Sequence, residues 1–81
     1  MKRNLELILQ YWKSRRAYID DREGNTALGK IISGEWKIVV QNKKQVVKLE
    51  LEVEEENETN KILFDADSIR IREVDSDNNI L

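Results

Sequence analysis

The sequence has no cysteine, no histidine and no proline, and only three glycines and five aromatic residues among its 81 positions. Each shortage removes a class of chemistry. Without cysteine there are no disulfides, no thiolate nucleophile and no cysteine-bound metal. A secreted domain this small usually depends on disulfide staples, so the expected compartment is a reducing cytoplasm. Without histidine the chain lacks the side chain best suited to proton transfer near neutral pH and the commonest metal ligand. No apolar run approaches the ~20 residues needed to cross a bilayer. Met1-Lys2-Arg3 is a cationic start, but Glu6, Gln10 and Lys13 interrupt the apolar stretch behind it, unlike a signal peptide. No membrane association is expected.

Catalytic inventory is equally thin. Ser14, Ser33, Ser68 and Ser76 have no base to activate them, and Gly24, Gly29 and Gly34 form no phosphate-binding loop. Paired carboxylates can work alone, but a domain of this size has little room for a cleft of several hundred Å3, about 300 at the least. The protein is expected not to be an enzyme and to need no cofactor or metal. Asp65 and Asp67, and likewise Asp20-Asp21-Arg22-Glu23, lack the pattern of a dedicated calcium loop. Carboxylates that cap their own turns account for both.

What is present is a globular composition, 40% apolar and 37% charged, in a chain long enough for one domain. At this length folding buries only about 60–65% of the unfolded surface, so stability is marginal. The net charge of −2 conceals a polarity: residues 1–44 carry ten basic and five acidic side chains, residues 45–81 four basic and eleven acidic.

The first element reads as an amphipathic helix over 4–16. Met1, Leu5, Ile8, Leu9 and Trp12 share one arc, with Ile19 rejoining it if the helix runs on. Asn4 is a candidate N-cap, and Lys13, Arg15 and Arg16 complement the dipole at the other end. Leu7, Tyr11 and Tyr18 make a second line opposite the first, more than a helix lying on a sheet needs. After the polar turn 20–26 the period changes from 3.6 to 2. Strands are expected over 27–32, 36–41, 46–54, 61–64 and 69–74, with Ser33-Gly34 closing the first and 42–45 a hairpin connection. The clearest is 46–54, where Val47, Leu49, Leu51 and Val53 alternate with Lys48, Glu50, Glu52 and Glu54.

The expected fold is therefore α+β: one helix over an antiparallel meander of about five short strands, occupying residues 1–74, with 75–81 an acidic, disordered tail. This element order resembles the small β-barrels of the SH3-like and Sm-like kind over residues 4–74. The resemblance implies a curled sheet and carries no site residue.

Two functional readings follow. The first is a protein–protein interaction module or accessory subunit, able to self-associate, with Leu7, Tyr11, Tyr18, Glu50, Glu52 and Glu54 as contact residues. The bland reading of those glutamates is a solvated face lying across from Lys37, Arg70 or Arg72. The alternative is nucleic-acid binding through Lys13, Arg15, Arg16, Lys43 and Lys44, with aromatic rings nearby to stack on bases. The overall acidity of the chain runs against it.

Overall fold

The computed structural model describes residues 5–81, so Met1 and the candidate cap Asn4 lie outside the described residues. Helix α1 spans Leu5–Trp12. It lays Leu5, Leu9 and Trp12 against the core, as the apolar arc requires. It ends a turn earlier than the periodicity suggests. Arg15 causes part of this: its Nε donates to the Tyr11 carbonyl at 2.9 Å, satisfying an acceptor that another helical turn would have used.

Beyond that turn the chain is a strand, not helix. β1, Arg16–Asp20, buries Ala17 and Ile19 and leaves Arg16, Tyr18 and Asp20 half-buried. Tyr18 and Ile19 fit both periods, and the pairing of β1 on both sides decides between them. β2, Thr26–Gln41, is one strand of 16 residues where two were expected. Its Thr26–Lys30 portion pairs with β1. Ser33-Gly34 does not stop it; the ladder slips between Ile31 and Ser33, and Ile32 is the extra, exposed residue of a bulge.

β3, Lys44–Glu55, follows after a two-residue turn in which Asn42 and Lys43 both have positive φ, the geometry that suits the twist of a tight hairpin. A second turn of the same kind at Glu56-Asn57 leads to β4, Glu58–Asp65. β5, Arg70–Glu73, crosses back to pair with β1. The five strands form one antiparallel sheet in the order β4-β3-β2-β1-β5. The sheet is open: β4 and β5 are its two edges. The core of Ala17, Ile19, Ile31, Leu49, Leu51, Val53 and Phe64 lies on one face, with Ile62, Ile69 and Ile71 packed around it.

Two further features hold the fold. The Asp21 carboxylate accepts hydrogen bonds from the N–H groups of Glu23 and Asn25 at 2.9 and 3.0 Å. It also accepts from the Asn25 amide and, across the molecule, from the Asp65 N–H, at 2.9 and 2.8 Å. It thereby ties the β1–β2 turn to the end of β4. The second feature is residues 75–81, which fold back rather than forming the disordered tail expected. The Asp75 carboxylate accepts from the N–H groups of Asp77 and Asn79, both at 2.9 Å. The Asn79 bond foremost, with that of Asp77, keeps this carboxyl below its ordinary pKa. Ile80 then bridges to Val74, and the Leu81 N–H donates to Glu73 at 2.9 Å. Composition announced polarity here, but a capped turn needs little apolar area to form.

Candidate interaction surface

The two longest strands outrun their neighbours. β1 reaches along β2 only as far as Lys30, and β4 reaches along β3 only as far as Lys48. Past those points, and beyond the Val47 carbonyl that accepts from the Ala66 N–H at 3.4 Å, the backbones of Trp36–Gln41 and Lys44–Val46 pair only with each other among the described residues, and they form a two-stranded arm. The molecule is accordingly elongated, 42 Å long against 24 and 23 Å across.

The pleat continues the core face out along this arm. Trp36, Ile38 and Val40 lie opposite Leu49, Val47 and Gln45, all on the side that buries Leu51 and Val53 nearer the base. Among the described residues no element lies over the face here. Ile38 is 69% exposed, Val40 72%, Val47 48% and Trp36 38%. That explains why Val47 departs from the buried set Leu49, Leu51 and Val53 although the alternation treats all four alike. The opposite face carries Lys37, Val39 and Val46. The tip bears Lys43 and Lys44, and between Glu35 and Glu50 there are four lysines and no acidic residue.

At the base, Lys37 Nζ lies 3.4 Å from Glu35 and 3.5 Å from Glu50. The Glu50 charge foremost, with Glu35, raises the Lys37 ammonium above the ordinary lysine value. Lys48 is buried and meets the Glu23 carboxylate. The arm is therefore apolar on one face, basic at its tip and acidic at its base.

The residues singled out from the sequence are distributed differently. Leu7 and Tyr11 are exposed on α1, at 61% and 55%. Tyr18 belongs to β1, where the Arg72 guanidinium sits 5.6 Å from its ring. The line Leu7, Tyr11, Tyr18 is thus not one helix face, because the helix has ended before Tyr18. Glu50, Glu52 and Glu54 do share the outer face of β3. Glu50 meets Lys37, Glu52 accepts from the Ser33 hydroxyl at 3.0 Å and lies opposite Lys61, and Glu54 lies between Lys30 and Thr59. Arg70 and Arg72 serve Asp20 instead, at 2.9 and 3.2 Å.

The cationic set is split. Arg15 is spread over the Tyr11 ring, 4.4 Å from its centroid, and bonds Glu73 at 3.4 Å. Arg16 bonds Asn78 at 2.7 Å and Glu55 at 3.2 Å. Lys13 is exposed near the helix end, while Lys43 and Lys44 sit at the arm tip. Leu9 of α1 lies against Gly34, and from Gly34 to Gln41 the strand runs on for roughly 25 Å. The two basic groups do not converge.

The sequence places Trp36, Ile38 and Val40 on a strand without marking them as surface, and it puts Val47 on the buried face of the next; the structure exposes all four. Alternation shows which side of a strand is apolar, not whether another element lies over it.

Among the described residues no group of three or more acidic side chains is placed to hold a metal ion. No helix among them is long and apolar enough to cross a membrane. In comparisons with known proteins, no family model, no curated protein and no solved structure matches this chain.

Proposed function

We propose that this protein is a small non-catalytic interaction module that works by protein–protein contact, with the β2–β3 arm as its contact element. The observation that carries the reading is the bare apolar face of Trp36, Ile38, Val40 and Val47. Isolated exposed apolar residues are ordinary, but a contiguous stripe on a projecting element marks a surface that is covered in use. A two-stranded ribbon is also marginal by itself in water, so the arm gains order from a partner. The preceding helix and the order β4-β3-β2-β1-β5 support reading the body as a small barrel of the SH3-like or Sm-like kind that is not fully closed. In that reading the body is the scaffold and the arm does the binding.

Light scattering across a concentration series, paired with affinity capture, tests the proposal. The expected result is self-association or capture of a protein partner that Val40→Lys abolishes while the body stays folded. Binding that the substitution leaves unchanged, or salt-sensitive binding to RNA or DNA in place of protein, would contradict it.

A further inference from the structure

The arm has an edge as well as a face. Gln41 and Lys44 flank a two-residue turn with positive φ at both positions, which makes them a hydrogen-bonded pair. Counting back along the ladder, Val39 and Lys37 also turn their N–H and C=O groups toward β3. Those of Trp36, Ile38 and Val40 point the other way, to the side β1 has left at Lys30. Among the described residues no backbone group or side chain meets them there. Natural sheets shield such edges with proline, bulges, short strands or inward charges. Here the bulge lies behind the segment at Ile32, proline is absent, and Glu35-Trp36-Lys37-Ile38-Val39-Val40-Gln41 is long and β-branched.

Resting on the protein-contact reading above, we infer that the free edge of β2 over residues 35–41 is a docking strand, and that its partner is the same segment of a second copy of this chain, paired antiparallel about Ile38. The segment is complementary to itself only in that direction. Trp36 then lies across from Val40 of the second copy, Ile38 from Ile38, and Val40 from Trp36. Each of these pairs exchanges two backbone hydrogen bonds. The apolar faces join into one stripe, with Val47 of each copy flanking it. Charge follows the same logic: the Lys43-Lys44 tip of one copy comes alongside Glu35 at the base of the other. A parallel alignment would set tip against tip and Glu35 against Glu35. The twofold arrangement closes on itself and joins the two sheets into one, pairing the free β2 segment of each copy.

Ile38→Pro tests this, because the Ile38 N–H points outward and its loss leaves the β3 ladder whole. Ile38→Thr trims the apolar face but keeps the N–H. The wild type is expected to run at twice its 9.6 kDa mass, Ile38→Thr to dimerise more weakly, and Ile38→Pro to run as a folded monomer with its dissociation constant raised at least ~30-fold, the equivalent of about 2 kcal/mol. Ile38→Cys in this cysteine-free chain provides a test independent of proline. An antiparallel hydrogen-bonded pair sets Cα atoms about 5.5 Å apart, within disulfide reach, so mild oxidation should give a covalent dimer, whereas Glu56→Cys at the opposite end should not. A dimer that Ile38→Pro leaves intact and Ile38→Cys fails to cross-link overturns the edge pairing while the protein-contact reading stands. A wild type that remains at 9.6 kDa but holds a different protein overturns the second copy alone. One that stays at that mass and binds no protein overturns both.

Discussion

Asp21 shows how much of this fold depends on single polar side chains. Burial by itself would raise its pKa, but the hydrogen bonds from the Asn25 side chain and from the N–H groups of Asp65, Asn25 and Glu23 together outweigh it and lower the carboxyl below its ordinary value. A depressed folded pKa stabilises the native state fully above the unfolded value of about 3.9 and loses that contribution as the pH falls through the folded one. Stability should therefore decline below about pH 4 more in the wild type than in Asp21→Asn, which cannot titrate. Asp21→Ala leaves the Asp65 N–H without its acceptor. At a partly solvated turn that costs about 1–2 kcal/mol, or roughly 5–15 °C in Tm. Urea unfolding across pH and thermal melts would measure both. Equal acid sensitivity in wild type and Asp21→Asn would mean that Asp21 does not couple the β1–β2 turn to β4.

At the scale of elements, β2 is the organiser, and Gly29 is its least replaceable residue. Its φ is +147°, and a Cβ there would stand 2.2 Å from the Glu54 carbonyl oxygen of β3. Gly34 is close-packed too, but against the flexible ends of Leu51 and Leu9, at 2.8 and 3.4 Å. Gly29→Ala should destabilise the domain by at least ~2 kcal/mol, and Gly34→Ala by less, since side-chain ends can move where backbone cannot. Denaturant midpoints compare the two; equal losses would show that β2 and β3 do not approach closely at Gly29.

The same strand marks what sequence reading can reach. The alternation over 46–54, the apolar arc Leu5/Leu9/Trp12 and the hairpin connection near 42–45 were legible because each depends on local period or turn chemistry. The turn at Glu56-Asn57, by contrast, is tighter than the gap between the expected strands 46–54 and 61–64. The strand count of five was right, but its membership was not. Tyr18 and Ile19 satisfy helical spacing as well as strand spacing, and only pairing with β2 and β5 separates the two. Ser33-Gly34 has the composition of a break, and whether it breaks or bulges depends on β3 running alongside. Of the candidate contact residues, Leu7 and Tyr11 are exposed, an outcome the helix arc left open between a covered line and a surface one. Trp36, Ile38 and Val40 were unreadable as surface, because their exposure depends on where β1 stops.

At the scale of the whole molecule, a body of modest core carries an arm whose apolar face and backbone edge are both left unsatisfied by the described residues. The charge polarity seen in the sequence becomes spatial along β3, basic toward the tip at Lys44 and acidic toward Glu54 and Glu55. A head-to-tail pair of arms uses that polarity and an isolated arm does not. Amide hydrogen exchange, followed residue by residue in dilute and concentrated samples, reports on the arm edge itself. In dilute solution the N–H groups of Lys37 and Val39, bonded to β3, should exchange slowly, while those of Trp36, Ile38 and Val40 exchange within about tenfold of an unstructured chain. On concentration the second set should become protected along with the first. Protection that leaves Trp36, Ile38 and Val40 exchanging freely at every concentration would contradict the arm edge as the contact.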